Sequence, residues 1–290
     1  MQKYPWSTKQ LRRLGDSVRD DQPIADNSPA YADVMAYFND YADEIRQSIY
    51  NLDWSNLLED RPFEVTARPK TIDTLRQKLQ RDRSTPLPSI QDIAGVRFEA
   101  EMTLVEQDAV ASALMGLFEE SGEVSLRDMR NDPHSGYRAV HIWIRTPARA
   151  EVQIRTHLQG KWANMYESAA DVLGREIRYG VLPENEAERK LVVFLHLISR
   201  VIAEHEVSNA IFSHINLRIY PRPPLVKRYA RMRKSDVRRM NQQNNQYRNH
   251  ELRRLILKGT ELRIASDCES IKEQFEKLLT TRAEMKWRDS

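Results

Sequence analysis

Cysteine is nearly absent from this 290-residue chain. The single thiol, Cys268, excludes an internal disulfide and any cysteine-based zinc finger, and it fits a reducing compartment. Long apolar runs are missing too: no stretch approaches the roughly 20 residues that a membrane-spanning helix needs. Met1 to Asp20 is polar and of mixed charge, so it does not read as a secretory leader. These absences lead us to expect a soluble, cytoplasmic protein with no membrane partner.

What the chain does have is an ordinary apolar fraction, 40%, enough for one large packed domain or one domain with an appendage. Its formal net charge of +3 conceals a segregation. Residues 214–290 hold 19 of the 45 Lys+Arg and 9 of the 42 Asp+Glu, leaving 26 and 33 for residues 1–213. A basic tail on an acidic body calls for a polyanionic partner, or else the tail docks on the body itself.

Periodicity predicts helical ends around a mixed α/β centre. Ser7 is a plausible N-cap for a helix to Arg19, and Tyr31, Val34, Met35, Phe38, Tyr41, Ile45 and Ile49 form the core stripe of a second helix to about Leu52. A helix is expected from Pro69 to about Arg81, with proline in its first turn. A strand follows at 96–101, and the pair Thr103 and Glu106 marks a capping box before the next helix. Strands at 137–145 and 151–156 read as an antiparallel hairpin. Helices follow from His157 to Leu173 and over 186–212. Pro221, Pro223 and Pro224 mark a boundary, beyond which helical stretches are expected at 225–241, 247–258 and 267–286.

Four clusters carry candidate chemistry. Lys70, Thr74 and Lys78 stand at i, i+4 and i+8, so on one helix two ammonium groups would flank a hydroxyl, an arrangement suited to a triphosphate or simply a solvated face. Asp92, at the entry to a strand, can hold Mg²⁺ or cap a turn. In the strand from Glu151 to Arg155, period two puts Val152 and Ile154 on the core face and Glu151, Gln153 and Arg155 on the other. Between them, Tyr137 follows Gly136 and could stack on a base, with Arg138 or His141 in reach of phosphate; the bland reading is an ordinary turn and a half-buried tyrosine. His196 and His205 do not form a recognised metal set, and Trp143 and Trp162 read as packing residues.

Taken in order, Arg68-x-Lys70 with Lys78, Asp92-Ile-Ala-Gly-Val-Arg97, Gly136-Tyr137-Arg138-Ala-Val-His141 and Glu151-Val-Gln-Ile-Arg155-Thr156 resemble the successive motifs of the RelA/SpoT synthetase domain, over roughly residues 60–170. The resemblance implies an α/β (α+β) fold: a mixed nucleotidyltransferase-like sheet flanked by helices, with a basic helical C-terminal extension. It divides the chain into N-terminal helices (1–57), a synthetase domain with its C-terminal helices (58–213) and the extension (214–290). It also implies an ATP-dependent pyrophosphokinase. Arg68 and Arg97 would sandwich adenine, and Lys70, Thr74 and Lys78 would hold phosphates. Asp92 and Glu151 would share Mg²⁺, with Glu151 also the candidate base. Tyr137 would stack on the acceptor base, with Arg138, His141, Gln153 and Arg155 beside it.

The family's usual acceptor is GDP or GTP, which makes guanosine tetra- and pentaphosphate. This chain departs by placing His134 where alarmone makers commonly carry a lysine before Gly-Tyr. Downstream, Leu158-Gln159-Gly-Lys-Trp162 and Gly174-Arg-Glu-Ile-Arg178-Tyr179 look like the toxic small alarmone synthetases, several of which modify the 3′-terminal adenosine of tRNA and are neutralised by an antitoxin protein. Arg228, Arg231, Arg233, Lys234, Arg238 and Arg239 are dense enough to track a tRNA backbone. Two other readings are a non-catalytic RNA-binding relative, which the presence of both Asp92 and Glu151 argues against, and a tail that regulates the site or docks a partner.

Overall fold

The structure, a computed structural model, describes residues 5–120, 122–219 and 256–281. The chain divides into two compact units, Met1–Gly160 and Lys161–Ser290.

Helices α1 (Thr8–Arg19) and α2 (Tyr31–Tyr50) and a short turn of helix, α3 (Ser55–Leu58), lead the first unit. The expected cap at Ser7 is present and forms a full capping box with Gln10. Five strands follow: β1 (Phe63–Pro69), β2 (Ala94–Ala100), β3 (Val124–Asp128), β4 (Val140–Ile144) and β5 (Ala150–Thr156). Helix α4 (Ile72–Arg81) separates β1 from β2, and α5 (Leu104–Glu119), with its capping box at Thr103 and Glu106, separates β2 from β3. The sheet is ordered β1-β2-β5-β4-β3. Only the β2–β5 pairing is parallel, and β4 and β5 form the expected hairpin.

Strict alternation makes one face of this sheet apolar. Val96, Phe98, Val140, Ile142, Ile144, Val152 and Ile154 are all buried in the main core, and α2 and α5 pack against those strands. Two buried glutamines tie the ladder ends. Gln91 donates to the Ile144 and Ala150 carbonyls at 2.9 and 2.6 Å, and Gln107 donates to that of Ile154 at 2.9 Å. Burying such amides is favourable only because their polar atoms find partners. The opposite face is polar and carries the candidate site.

In the second unit α6 (His157–Leu173) continues, followed by α7 (Glu186–Ile219) and a helix over 256–281, here α8. Trp162 stacks on Tyr166 with ring centroids 4.7 Å apart, and its indole donates to the Leu195 carbonyl. Trp162 is thus the packing residue it was expected to be. His196 is engaged by the Tyr166 hydroxyl at 2.9 Å. Among the described residues no helix is long and apolar enough to cross a membrane.

Four local expectations differ. Pro69 closes strand β1 rather than opening a helix; β1 is an edge strand, where the missing N–H is tolerated. The strand expected at 137–145 begins only at Val140, because residues 134–137 form a tight turn. The edge strand β3, with Leu126, Arg127 and Asp128 exposed, has too little alternation to be read from sequence. Helix α8 begins before 267 and runs through Gly259, around which there is open space. The stretch 225–241 lies outside the described residues, as do 247–255 and 282–286 of the two later helices.

Candidate active site

Strand register sets the site in rows across the polar face. Gly95 on β2, Glu151 on β5 and Trp143 on β4 are direct neighbours in one row. The next row runs Arg97, Gln153, His141 and then Arg127 on β3. In the third, Glu99 faces Arg155. Three of these side chains, Glu151, Gln153 and Arg155, come from the strand whose period-two geometry assigns them to one face.

They close a ring of hydrogen bonds. Glu151 Oε1 accepts from His141 Nδ1 at 3.1 Å and from Trp143 Nε1 at 3.0 Å, and its Oε2 accepts from Gln153 at 2.8 Å. Gln153 accepts from Arg155 at 2.6 Å. Arg155 donates to the Tyr137 hydroxyl at 2.9 Å, and that hydroxyl meets His141 Nε2 at 2.9 Å. Arg155 also pairs with Glu99 at 3.4 Å, and its guanidinium lies 5.0 Å from the Tyr137 ring centre.

Burial makes the ring electrostatically decided. Burial alone would raise the Glu151 carboxyl, but the hydrogen bond and charge of His141 outweigh it and hold it below its ordinary value. Burial would lower His141; Tyr137 and Glu151 reverse this and raise it to about 9. Burial would raise the Tyr137 phenol, yet Arg155 and His141 bring it below the usual tyrosine range. The result is an ionised carboxylate beside an imidazolium.

A second cluster stands at the start of β2. Lys70 Nζ meets Asp92 Oδ2 and Lys78 Nζ meets Oδ1, each at 2.5 Å. Burial opposes ionisation of Asp92, but the two ammonium groups hold its carboxyl down to about 2. Burial also lowers Lys70 despite this pairing. The expectation that Lys70 lies on the helix is corrected: Thr71 caps α4, so Lys70 reaches Asp92 from the connection after β1. Thr74 lies in the first turn and bonds within the cap, to Thr71 O at 2.9 Å. Glu151 feels the negative charge of Asp92.

The other candidates are placed as follows. Arg97 is partly buried, and its Nε has no hydrogen-bond partner among the described residues. Burial, with Arg155 and Arg68 nearby, pushes its guanidinium down to about 10. Arg68 is exposed and faces Gly95 across the β1–β2 ladder. Tyr137 stands in a turn closed by its N–H to the His134 carbonyl at 2.9 Å. Ser135 and Gly136 both have positive φ there, 50° and 82°, a demand that the Ser-Gly pair meets. Arg138 donates to the Arg130 carbonyl. Arg228, Arg231, Arg233, Lys234, Arg238 and Arg239 lie outside the described residues.

Sequence reasoning missed Trp143, expected to be a packing residue, whose indole N–H reaches Glu151. It also missed Arg127, whose guanidinium lies 4.9 Å from the Trp143 ring centre. The available signal was alternation: counting by two from His141 puts Trp143 on the same face.

The profile of the region found in RelA / SpoT proteins matches residues 67–171. An uncharacterized protein of Mycobacterium tuberculosis and one of Mycobacterium bovis are each 43% identical over 212 residues, covering 70% of this chain and 75% of theirs. In fold the chain is similar to small alarmone synthetase 1 from Bacillus subtilis, with TM-score 0.51 and 22% identity over 63% of this chain and 96% of that one. It is similar also to small alarmone synthetase 2 from Bacillus subtilis, with TM-score 0.50 and 18% identity over 63% and 98%. The chain belongs to the RelA/SpoT family and is an ATP-dependent pyrophosphokinase.

Proposed function

We propose that this protein transfers the β,γ-pyrophosphate of ATP to the 3′-hydroxyl of the terminal adenosine of a tRNA. The acceptor rests on one observation, the concentration of positive charge in residues 214–290, which a nucleic-acid backbone would neutralise and a free nucleotide would not need. Blocking the tRNA 3′ end stops aminoacylation, so such an activity calls for a neutralising protein partner.

The site supports the transfer step. Lys70 and Lys78 would exchange Asp92 for the phosphates of ATP, while Arg97, whose Nε has no partner among the described residues, would lie against adenine opposite Arg68. Two ionised carboxylates, Asp92 and Glu151, fit Mg²⁺, which takes one or two carboxylates with phosphate oxygens completing its shell. Bound there, the ion would supply charge neutralisation for the transferred group. The 3′-oxygen forms a bond to the β-phosphorus, the bond from that phosphorus to the bridging oxygen breaks, and AMP leaves. The hydroxyl proton passes to Glu151, the candidate base. The Tyr137 ring would stack on the acceptor base.

The alternative acceptor, GDP or GTP, is favoured by a different observation: the similarity in fold extends over nearly all of the two small alarmone synthetases. Following γ-labelled pyrophosphate onto tRNA or onto guanine nucleotide separates the two.

A further inference from the structure

We propose that Trp143 is a positioning residue for Glu151, holding its carboxylate in the orientation that the transfer step requires. The inference rests on Glu151 being the site carboxylate of the proposed reaction.

Trp143 stands directly opposite Glu151 in the β4–β5 ladder, and its indole N–H donates to Oε1 at 3.0 Å. Its neighbours Ile142 and Ile144 are buried on the apolar face, so the indole lies on the polar one and does not serve the main core. Filling space there would not require a donor. An indole has a single N–H and no acceptor, so this bond is the one directed polar contact that Trp143 can make. Against a carboxylate it is charge-assisted. With His141 Nδ1 it occupies both lone pairs of Oε1, while Gln153 takes only one of the two on Oε2. Among the described residues Oε2 accepts no second hydrogen bond, which leaves a lone pair for a metal ion or a substrate hydroxyl, and the plane of the carboxylate is fixed by donors on two strands.

The indole is itself held. Arg127, on the neighbouring edge strand, places its guanidinium 4.9 Å from the centre of the ring. The chain of contact runs from Arg127 on β3 through Trp143 on β4 to Glu151 on β5.

The test uses the full-length protein and AMP release from ATP, with intact tRNA and with GDP as acceptors. Trp143→Phe keeps a ring and removes the donor. We expect kcat to fall about tenfold while KM for ATP and for the active acceptor stays within about twofold, because orientation of a reacting group acts on the transition state rather than on binding. A second measurement does not depend on activity. In the ¹⁵N-indole spectrum, the peak lost in Trp143→Phe should lie downfield in the wild type and move upfield in Glu151→Ala. A Glu151→Ala variant that turns over like the wild type sinks the underlying site reading. An inactive Glu151→Ala together with a Trp143→Phe variant of unchanged kcat overturns the role of Trp143 alone. With the Trp143 peak assigned in the wild-type protein by through-bond triple-resonance spectra, its failure to move in Glu151→Ala does the same, even if Trp143→Phe fails to fold.

Discussion

Lys78, in the last turn of α4, and Asp92, just ahead of β2, meet at 2.5 Å between Nζ and Oδ1, and Lys70 mirrors this contact on Oδ2. A carboxylate held ionised between two ammonium groups is a poor general acid, and it can take up a cation once those ammonium groups are drawn off it. The same two lysines are the charges that a triphosphate would draw away from it.

Asp92→Asn should therefore cut AMP release by roughly 10²–10⁴-fold, the usual cost of losing a metal carboxylate. Turnover within tenfold of the wild type would remove Asp92 from the site.

Tyr137 joins stacking and hydrogen bonding in one side chain. Tyr137→Ala should weaken acceptor use by about 1–3 kcal/mol, which is roughly 5- to 150-fold in acceptor KM. ATP affinity measured without acceptor should stay within about twofold. Tyr137→Phe keeps the ring and frees His141 and Arg155 of their shared partner, so its effect should be smaller. Equal loss of ATP and acceptor affinity in Tyr137→Ala would make this a packing residue.

Much of this site was readable before the fold. Alternation in Glu151–Arg155 correctly put Val152 and Ile154 in the core and Glu151, Gln153 and Arg155 on the opposite face, because a buried sheet enforces period two on its central strands. Lys70 reaches Asp92 by a different route from the one its spacing implies. Spacing of i, i+8 suggested one helix face, whereas it is the turn after β1, capped by Thr71, that delivers Lys70 to Asp92. Arg127 could not be read, since an edge strand that exposes Leu126 carries no core pattern to fix its register. Trp143 was legible in position but not in role, because no spacing reveals that an indole finds a carboxylate across a hairpin.

Away from the site, Glu106 closes the capping box of α5 and pairs with Arg61 at 2.5 Å. Burial would raise its carboxyl, but Arg61 and the Thr103 N–H lower it below the ordinary value. A carboxyl depressed in the folded state stabilises above its unfolded pKa, and that stability is lost as pH falls through the folded one. Glu106→Gln should thus cost about 1–2 kcal/mol in urea unfolding at pH 7, and the difference should shrink as pH drops below about 4. A gap that persists unchanged at low pH would mean that Glu106 acts by packing alone.

The central claim is tested most directly by following label. The protein is given Mg²⁺ and ATP labelled at the γ-phosphate, then GDP, GTP, intact tRNA or tRNA lacking its terminal adenosine. The account predicts label on intact tRNA alone. It also predicts that neutralising Arg231, Arg233, Arg238 and Arg239 together weakens that labelling and reduces its salt slope by roughly 3–4, since fewer counterions are released, with ATP binding unchanged. Efficient labelling of GDP or GTP with tRNA untouched would contradict it.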